Sequence, residues 1–281
     1  MKNTVAEFIK MKGEGRRIAE LTCYDYTTAK LVERAGVNAI LVGDSLGMTM
    51  LGYSDTLPVT LDDMIRYSAA VARACSETMV IMDMPFMSYQ TSVYDAVANA
   101  GRMMKEGRGQ AVKLEGGAAV TEQICAITDA GIPVQAHIGM TPQSVNVFGG
   151  FKVQGKGEAA ARRLLEDALA VQEAGAFSVV LECVPPKLAA LISKKLAIPT
   201  IGIGAGAGCD GQVLVYQDML GMNTDFTPKF VKKYAAVGET MTAAFRAYVE
   251  DVQSGAFPAP EHSFAKSDCS DEYLAALDAE F

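Results

Sequence analysis

Tryptophan is absent from the 281-residue chain, histidine occurs twice, and aromatic residues make up 7% of it. With only His137 and His262, far apart, zinc chemistry of the HExxH kind is excluded, because it needs two histidines one turn apart on a helix. The six cysteines include no CxxC pair, so neither a zinc ribbon nor a thioredoxin-type motif is signalled. No apolar run approaches the roughly 20 residues that span a bilayer. Basic residues are the minority, 25 against 33 acidic, giving a net charge of −8. That balance argues against a nucleic-acid partner, whose binding rests on clustered Lys and Arg. It leaves room for an anionic substrate, since a site can be locally positive in an acidic protein. The N-terminal stretch MKNTVAEFIKMKGEGRR lacks the apolar core of a secretory signal. With cysteines scattered rather than framed for disulfides, the expected compartment is the cytoplasm.

Half of the residues are hydrophobic, and they fall into a repeating order. Short apolar runs alternate with longer amphipathic stretches. Strands are expected at 18–25, 38–45, 79–86, 111–117, 132–139, 178–184, 198–206 and 211–218, with helices between most of them. Eight strands so separated predict a parallel (β/α)8 TIM barrel, an α/β architecture that typically occupies about 250 residues. The rival, an open doubly wound sheet, lacks its GxGxxG after the first strand. Residues 1–14 read as an extra N-terminal helix that plugs the barrel base, and 229–254 as a long helical C-terminal region. One catalytic domain is expected over 1–264. The remainder, 265–281, reads as a peripheral acidic tail with room for a short helix.

The stretch LVGDSLGM ends a buried run on an acid. Asp44 follows Ala39-Ile40-Leu41-Val42, and a helix N-cap would explain one such case. The pattern recurs, however: Asp83 ends VIMD, Glu115 ends VKLE and Glu182 ends VVLE. In a barrel the C-terminal strand ends share one mouth, where active sites are built. Glutamate is a poor N-cap, so Glu115 and Glu182 resist the capping explanation. Carboxylates brought together must be offset by a cation. Lys113 lies two residues before Glu115 and therefore on the same face of its strand. It reads either as a site cation or as a structural counter-charge. An oxygen-rich donor set suits a hard ion such as Mg²⁺. His137, on the fifth strand, reads as a satisfied core residue or a site residue, and His262 is assigned no site role.

Two glycine-rich stretches stand apart. GMTPQSVNVFGGFKVQGKG (139–157) is too long for a routine connection and reads as a lid, a substrate loop or an ordered surface Ω-loop. IGIGAGAGCDGQ (201–212) reads as a phosphate cradle or as close backbone packing.

LTCYDYTTAKL, LVGDSLGM, DTLPVTLDDM, DMPFMSY, VKLEGG, GMTPQSVNVFGGFKVQG, LECVP, IPTIGIGAG and DGQVLVYQDMLG together resemble the ketopantoate hydroxymethyltransferase family. The likeness runs from about residue 3 to EHSF near residue 264. It implies a Mg²⁺-dependent (β/α)8 barrel, with one ion per subunit, assembled as a homo-oligomer, a decamer. The implied reaction transfers a one-carbon unit from 5,10-methylenetetrahydrofolate to 3-methyl-2-oxobutanoate, giving 2-dehydropantoate for pantothenate biosynthesis. By motif, Asp44 and Asp83 match metal ligands, with Glu115 a third metal-associated acid acting through water. Asp44, Ser45, Asp83 and Lys113 match substrate contacts, and Glu182 matches the proton acceptor. Three other readings stand beside it. One is a Mg²⁺-dependent 2-oxo acid carbon–carbon bond enzyme of the isocitrate lyase or phosphoenolpyruvate mutase type. Another is a Schiff-base aldolase using Lys113. The last is a non-catalytic oligomeric binding protein.

Overall fold

The computed structural model describes residues 3–223, 227–264, 266 and 268–281. The eight expected strands form: β1 Ile18–Thr22, β2 Ala39–Val42, β3 Met79–Asp83, β4 Ala111–Glu115, β5 Val134–Gly139, β6 Ser178–Glu182, β7 Thr200–Ile203 and β8 Gly211–Leu214. They close into a barrel in sequence order. Parallel pairing of β1 with β8, Ile18 opposite Gly211 and Leu21 opposite Leu214, completes the ring. Asp83, Glu115 and Glu182 are the last residues of their strands, and Asp44 lies two residues beyond β2.

One short helix, α1 Val5–Gly13, precedes the barrel. On the connections lie α2 Tyr26–Arg34, α3 Leu46–Thr49, α4 Leu61–Ala72, α5 Val93–Arg102, α6 Thr121–Asp129, α7 Val145–Phe148, α8 Glu158–Glu173 and α9 Pro186–Lys195. After β8 come α10 Tyr216–Met219, α11 Val237–Ser254 and α12 Asp271–Glu280. Local sequence fixes several starts. Asp25 caps α2 by accepting from the Thr28 N–H, and Thr60 and Asp63 form a reciprocal capping box on α4.

Period-two alternation sorts each strand into two cores. Ile40, Val42, Val80, Met82, Val112 and Leu114 face outward into the layer shared with the helices. Ile18, Leu41, Met79, Ile81, Val180 and Ile201 face inward and fill the barrel. The expected plug at the base is present: Phe8 and Met11 of α1 join this inner cluster, and the Phe8 ring meets Phe177 edge-on at 5.9 Å. Lys12 pins the plug, its Nζ 2.8 Å from Asp210 Oδ2. Apolar side chains of α1 thus cover the lower end of the barrel.

The helical region expected over 229–254 is shorter than that. α11 begins only at Val237. The Tyr234 and Val237 amides donate to the Met219 and Leu220 carbonyls at the end of α10, so this stretch runs along α10 instead of coiling. The tail carries its helix, α12, capped by Ser270. Of the segments assigned from sequence, residues 1, 2, 224–226, 265 and 267 lie outside the described residues. Among the described residues no helix is long and apolar enough to cross a membrane.

Candidate active site

Four strand-end acids and Lys113 converge at the C-terminal mouth, as their shared position in the repeat predicts. Asp44 is no helix cap: Ser45 holds the N-cap position of α3 and makes no side-chain capping bond. The chain instead turns at Gly43, where a Cβ would lie 2.8 Å from Ser45 Oγ and 3.8 Å from Asp83 Oδ2. That close approach lets the Asp44 N–H donate to Asp83 Oδ2 at 3.2 Å. Asp83 Oδ1 lies 2.8 Å from Lys113 Nζ, which is also 3.6 Å from Glu115 Oε1. Asp44, Asp83, Lys113 and Glu115 are all buried. Ser45 is half-buried, and its hydroxyl pairs with the fully buried Tyr24 at 2.8 Å.

His137 occupies a site position. Its Nδ1 is 3.5 Å from Glu115 Oε1 and its Nε2 is 3.3 Å from Glu182 Oε2, so the ring bridges the two glutamates. Lys113 Nζ approaches the same Nδ1 at 3.2 Å. Glu182, half-buried, is the most open of the four acids.

Burial drives the ionisation behaviour here. It pushes Asp44 well above the usual carboxylate range, reinforced by Asp83 and Glu115 and opposed by Lys113. Asp83 also rises through burial, although the Lys113 charge works against it. For Glu115 burial is outweighed by Lys113, His137 and the Gln143 N–H, and its carboxyl is held low. Lys113 is desolvated too, but Asp83, Glu115 and Asp44 hold its ammonium firmly protonated. Against burial and the Lys113 charge, hydrogen bonds to Glu115 and Glu182 push His137 up to about 9. A lysine so held is a poor amine nucleophile, which counts against Schiff-base chemistry.

Two residues at the centre of this cluster escaped the sequence reading. Gln143 is buried; its carboxamide donates to Asp44 Oδ2 at 2.9 Å, and its backbone N–H donates to Glu115 Oε2 at 2.9 Å. Tyr89 donates to Gln143 Oε1 at 2.7 Å and receives the Glu115 N–H at 3.0 Å. Gln143 lies in the 139–157 stretch, whose unusual length was the available signal. Tyr89 carried none, since an apolar turn after a strand offers many aromatic positions. The long stretch is clamped at both ends on the end of β6. Met140 N–H donates to the Glu182 carbonyl at 2.9 Å and Gln154 N–H to the Cys183 carbonyl at 3.0 Å.

The other glycine-rich stretch is filled by protein. Added Cβ atoms at Gly204, Gly206 and Gly208 would meet Phe230, Pro186 and Ala190 at 2.9, 2.7 and 2.6 Å, the close-packing alternative.

Residues 2–260 match the model of the family described as ketopantoate hydroxymethyltransferase. The chain belongs to that family. Its relatives include the 3-methyl-2-oxobutanoate hydroxymethyltransferase of Clostridium novyi (strain NT), 66% identical over 264 residues, covering 94% of this chain and 96% of that protein. The protein of the same name from Enterococcus faecalis (strain ATCC 700802 / V583) is 64% identical, covering 95% and 98%. Among solved structures, phosphonopyruvate hydrolase in complex with oxalate and Mg²⁺ is similar with a TM-score of 0.61 at 12% identity, covering 100% of this chain and 96% of that one. A 2,3-dimethylmalate lyase of the PEP mutase/isocitrate lyase superfamily follows at 0.58 and 17%, covering 100% and 99%. These two likenesses are of fold alone. Membership in the ketopantoate hydroxymethyltransferase family rests on the sequence matches, and the strand-end acids fall inside the matched span.

Proposed function

We propose that the protein transfers a hydroxymethyl group from 5,10-methylenetetrahydrofolate to 3-methyl-2-oxobutanoate, giving 2-dehydropantoate and tetrahydrofolate. The observation that carries this reading is the mouth itself: a protonated Lys113 among buried acids, with one half-buried acid, Glu182, left at the edge.

The donor set fits a divalent cation. Four carboxylates meet two cationic side chains, and the two acids pushed toward neutrality by burial are Asp44 and Asp83. Asp83, Glu115 and Glu182 each have Lys113 or His137 beside them, and Asp44 is tied to Asp83 through its N–H. Among the described residues no three Asp, Glu, His or Cys side chains are grouped so as to hold a metal ion by themselves. Mg²⁺ commonly takes one or two carboxylates and keeps several waters. Asp44 and Asp83 would hold the ion, with Glu115 behind them through water, since Gln143, Lys113 and His137 already surround its oxygens. The chemistry a bound Mg²⁺ supplies is Lewis-acid polarisation of the 2-oxo group.

The residues of the chain do the rest. Lys113 and Ser45 bind the substrate carboxylate, with Tyr24 fixing the Ser45 hydroxyl. Glu182 accepts the proton from C3, leaving the enolate. His137, hydrogen-bonding Glu182, orients that carboxylate. The one-carbon unit leaves both folate nitrogens: its carbon forms one bond to C3 and one to the oxygen of a water, and the proton taken from C3 and one proton of the water end on the two nitrogens, giving tetrahydrofolate. The plugged barrel base leaves the mouth as the route for the folate. We assign this work to a domain over 1–264 and treat 265–281 as a peripheral appendage.

Deprotonation needs no folate, which gives the test. In D₂O with Mg²⁺ alone, the protein should exchange deuterium into C3 of 3-methyl-2-oxobutanoate, seen by proton NMR as collapse of the methyl doublet. A positioned base contributes about 10²–10⁴-fold, so Glu182→Gln should bring exchange close to background. Exchange at the parent rate in Glu182→Gln would transfer the base role to another group, His137 first.

A further inference from the structure

We propose that Gln143 is a positioning residue that ties the 139–157 stretch to the cation site and sets the orientation of Asp44. The inference rests on the divalent-ion reading of the preceding section.

A carboxamide has two N–H donors and one carbonyl acceptor. Every one of these is committed at Gln143. Its Nε2 donates to Asp44 Oδ2 and to the Met84 carbonyl, both at 2.9 Å. Its Oε1 accepts from Tyr89 Oη at 2.7 Å and from Gln90 Nε2 at 3.2 Å. The amide can face only one way. Turned over, its oxygen would confront the Met84 carbonyl, which cannot donate. The Met84 carbonyl selects the face of the amide, the Tyr89 hydroxyl (which also lies 3.1 Å from the Glu115 carbonyl) supports it, and the amide directs a donor at Asp44. The backbone N–H of the same residue holds Glu115 Oε2 at 2.9 Å. One residue therefore fixes two of the acids at the mouth, and it is itself carried on a segment pinned at both ends to the end of β6.

The physical consequence is preorganisation. A donor on one oxygen of Asp44 favours the ionised carboxylate and restrains its rotation, leaving the other oxygen for the cation. Removal of such a partner of a metal-ligating group typically costs about 10–100-fold in metal affinity. Gln143→Met keeps the length of the side chain and deletes every donor and acceptor.

The test is titration of the full-length protein, stripped with EDTA, with Mg²⁺ alone by isothermal calorimetry. The parent should bind Mg²⁺, and folded Gln143→Met should bind it about 10–100-fold more weakly. A merely structural role would lower the unfolding midpoint and leave the Mg²⁺ dissociation constant of the folded protein unchanged; that result would overturn the proposal. If Gln143→Met does not fold, Tyr89→Phe decides. It removes the hydroxyl partner of Gln143 Oε1 and touches no acid side chain proposed to hold the ion. Severalfold weaker Mg²⁺ binding is expected, and parent-like binding overturns the proposal. A parent protein that fails to bind Mg²⁺ sinks the divalent-ion reading and this inference with it, an outcome distinct from loss of the Gln143 effect alone.

Discussion

Lys113 Nζ sits 2.8 Å from Asp83 Oδ1, with both side chains all but sealed from solvent at 3% and 2% exposure. The pair lies on adjacent strands, Asp83 directly opposite Lys113 in the register of β3 and β4. Removing one partner of a buried ion pair strands the other and costs about 3–5 kcal/mol. Lys113→Met should therefore lower stability by about that amount in EDTA, measured by urea unfolding. Added Mg²⁺ should restore part of the loss, because a divalent cation can compensate the same acids. The variant should also raise KM for the 2-oxo acid through loss of the cation proposed to meet its carboxylate. Unchanged stability with and without Mg²⁺ would show that Lys113 does not balance these acids.

Asp83→Asn keeps the volume and removes a charged oxygen. Activity titrated against Mg²⁺ should show a half-saturation point raised well above the parent value, while the variant stays folded. The same half-saturation in a folded variant would take Asp83 off the set of proposed ligands.

Glu33 provides a pH-dependent strut far from the mouth. Its Oε1 accepts from Ser76 N–H, Ser76 Oγ and Glu77 N–H, each at 2.8 Å, and its Oε2 accepts from Thr78 N–H at 3.0 Å. Burial opposes ionisation, but these donors win and bring the carboxyl down to about 2 from an ordinary 4.5. A depressed acid contributes stability that is present above its unfolded value and lost as pH falls through the folded one. Part of the stability should thus drain away between about pH 4.5 and 2. Glu33→Gln should be less stable at neutral pH and lose less on acidification across that window. Acid titrations followed by circular dichroism would reveal it; parallel curves for parent and variant would contradict the assignment.

The α1 plug predicts a large cavity penalty. Phe8 is fully buried against Phe177, so Phe8→Ala should cost about 3–5 kcal/mol by chemical denaturation. A loss below 1 kcal/mol would mean that α1 packs only loosely at the barrel base.

Assembly is expected from the exposed stripe on α11. Met241, Phe245, Tyr248, Val249 and Val252 recur at helical spacing and are all exposed, and no residue of this helix is buried. Sedimentation equilibrium should give a mass several times the 29.8 kDa of one chain, ten copies by the family resemblance. Phe245→Glu should reduce that mass, and a monomeric parent at micromolar concentration would rule assembly out.

The repeat of apolar runs and amphipathic stretches was enough to predict eight strands and their parallel order, and strict alternation along a strand put Lys113 and Glu115 on one face of β4. It also placed Asp44, Asp83, Lys113, Glu115 and Glu182 at one mouth, since a closed barrel sends every strand end to the same rim. Where long-range pairing competes with local pattern, sequence was a weaker guide. The start of α11 moved to Val237 because distant carbonyls at the end of α10 claimed the preceding amides. Asp25 and Asp44 both follow strands in the sequence, yet one caps a helix and the other joins the site. Their difference lies in what the fold brings near them. The sequence position of His137 left its surroundings open; the structure places its ring between two glutamates from other strands. Gln143, 99 residues from Asp44, has no periodicity to announce it. Periodicity is a property of neighbours in the chain, so the sequence alone determined the barrel and its acid rim. Hydrogen bonds between residues far apart in the chain exist only after closure, so the tertiary structure decided which side chains hold those acids in place.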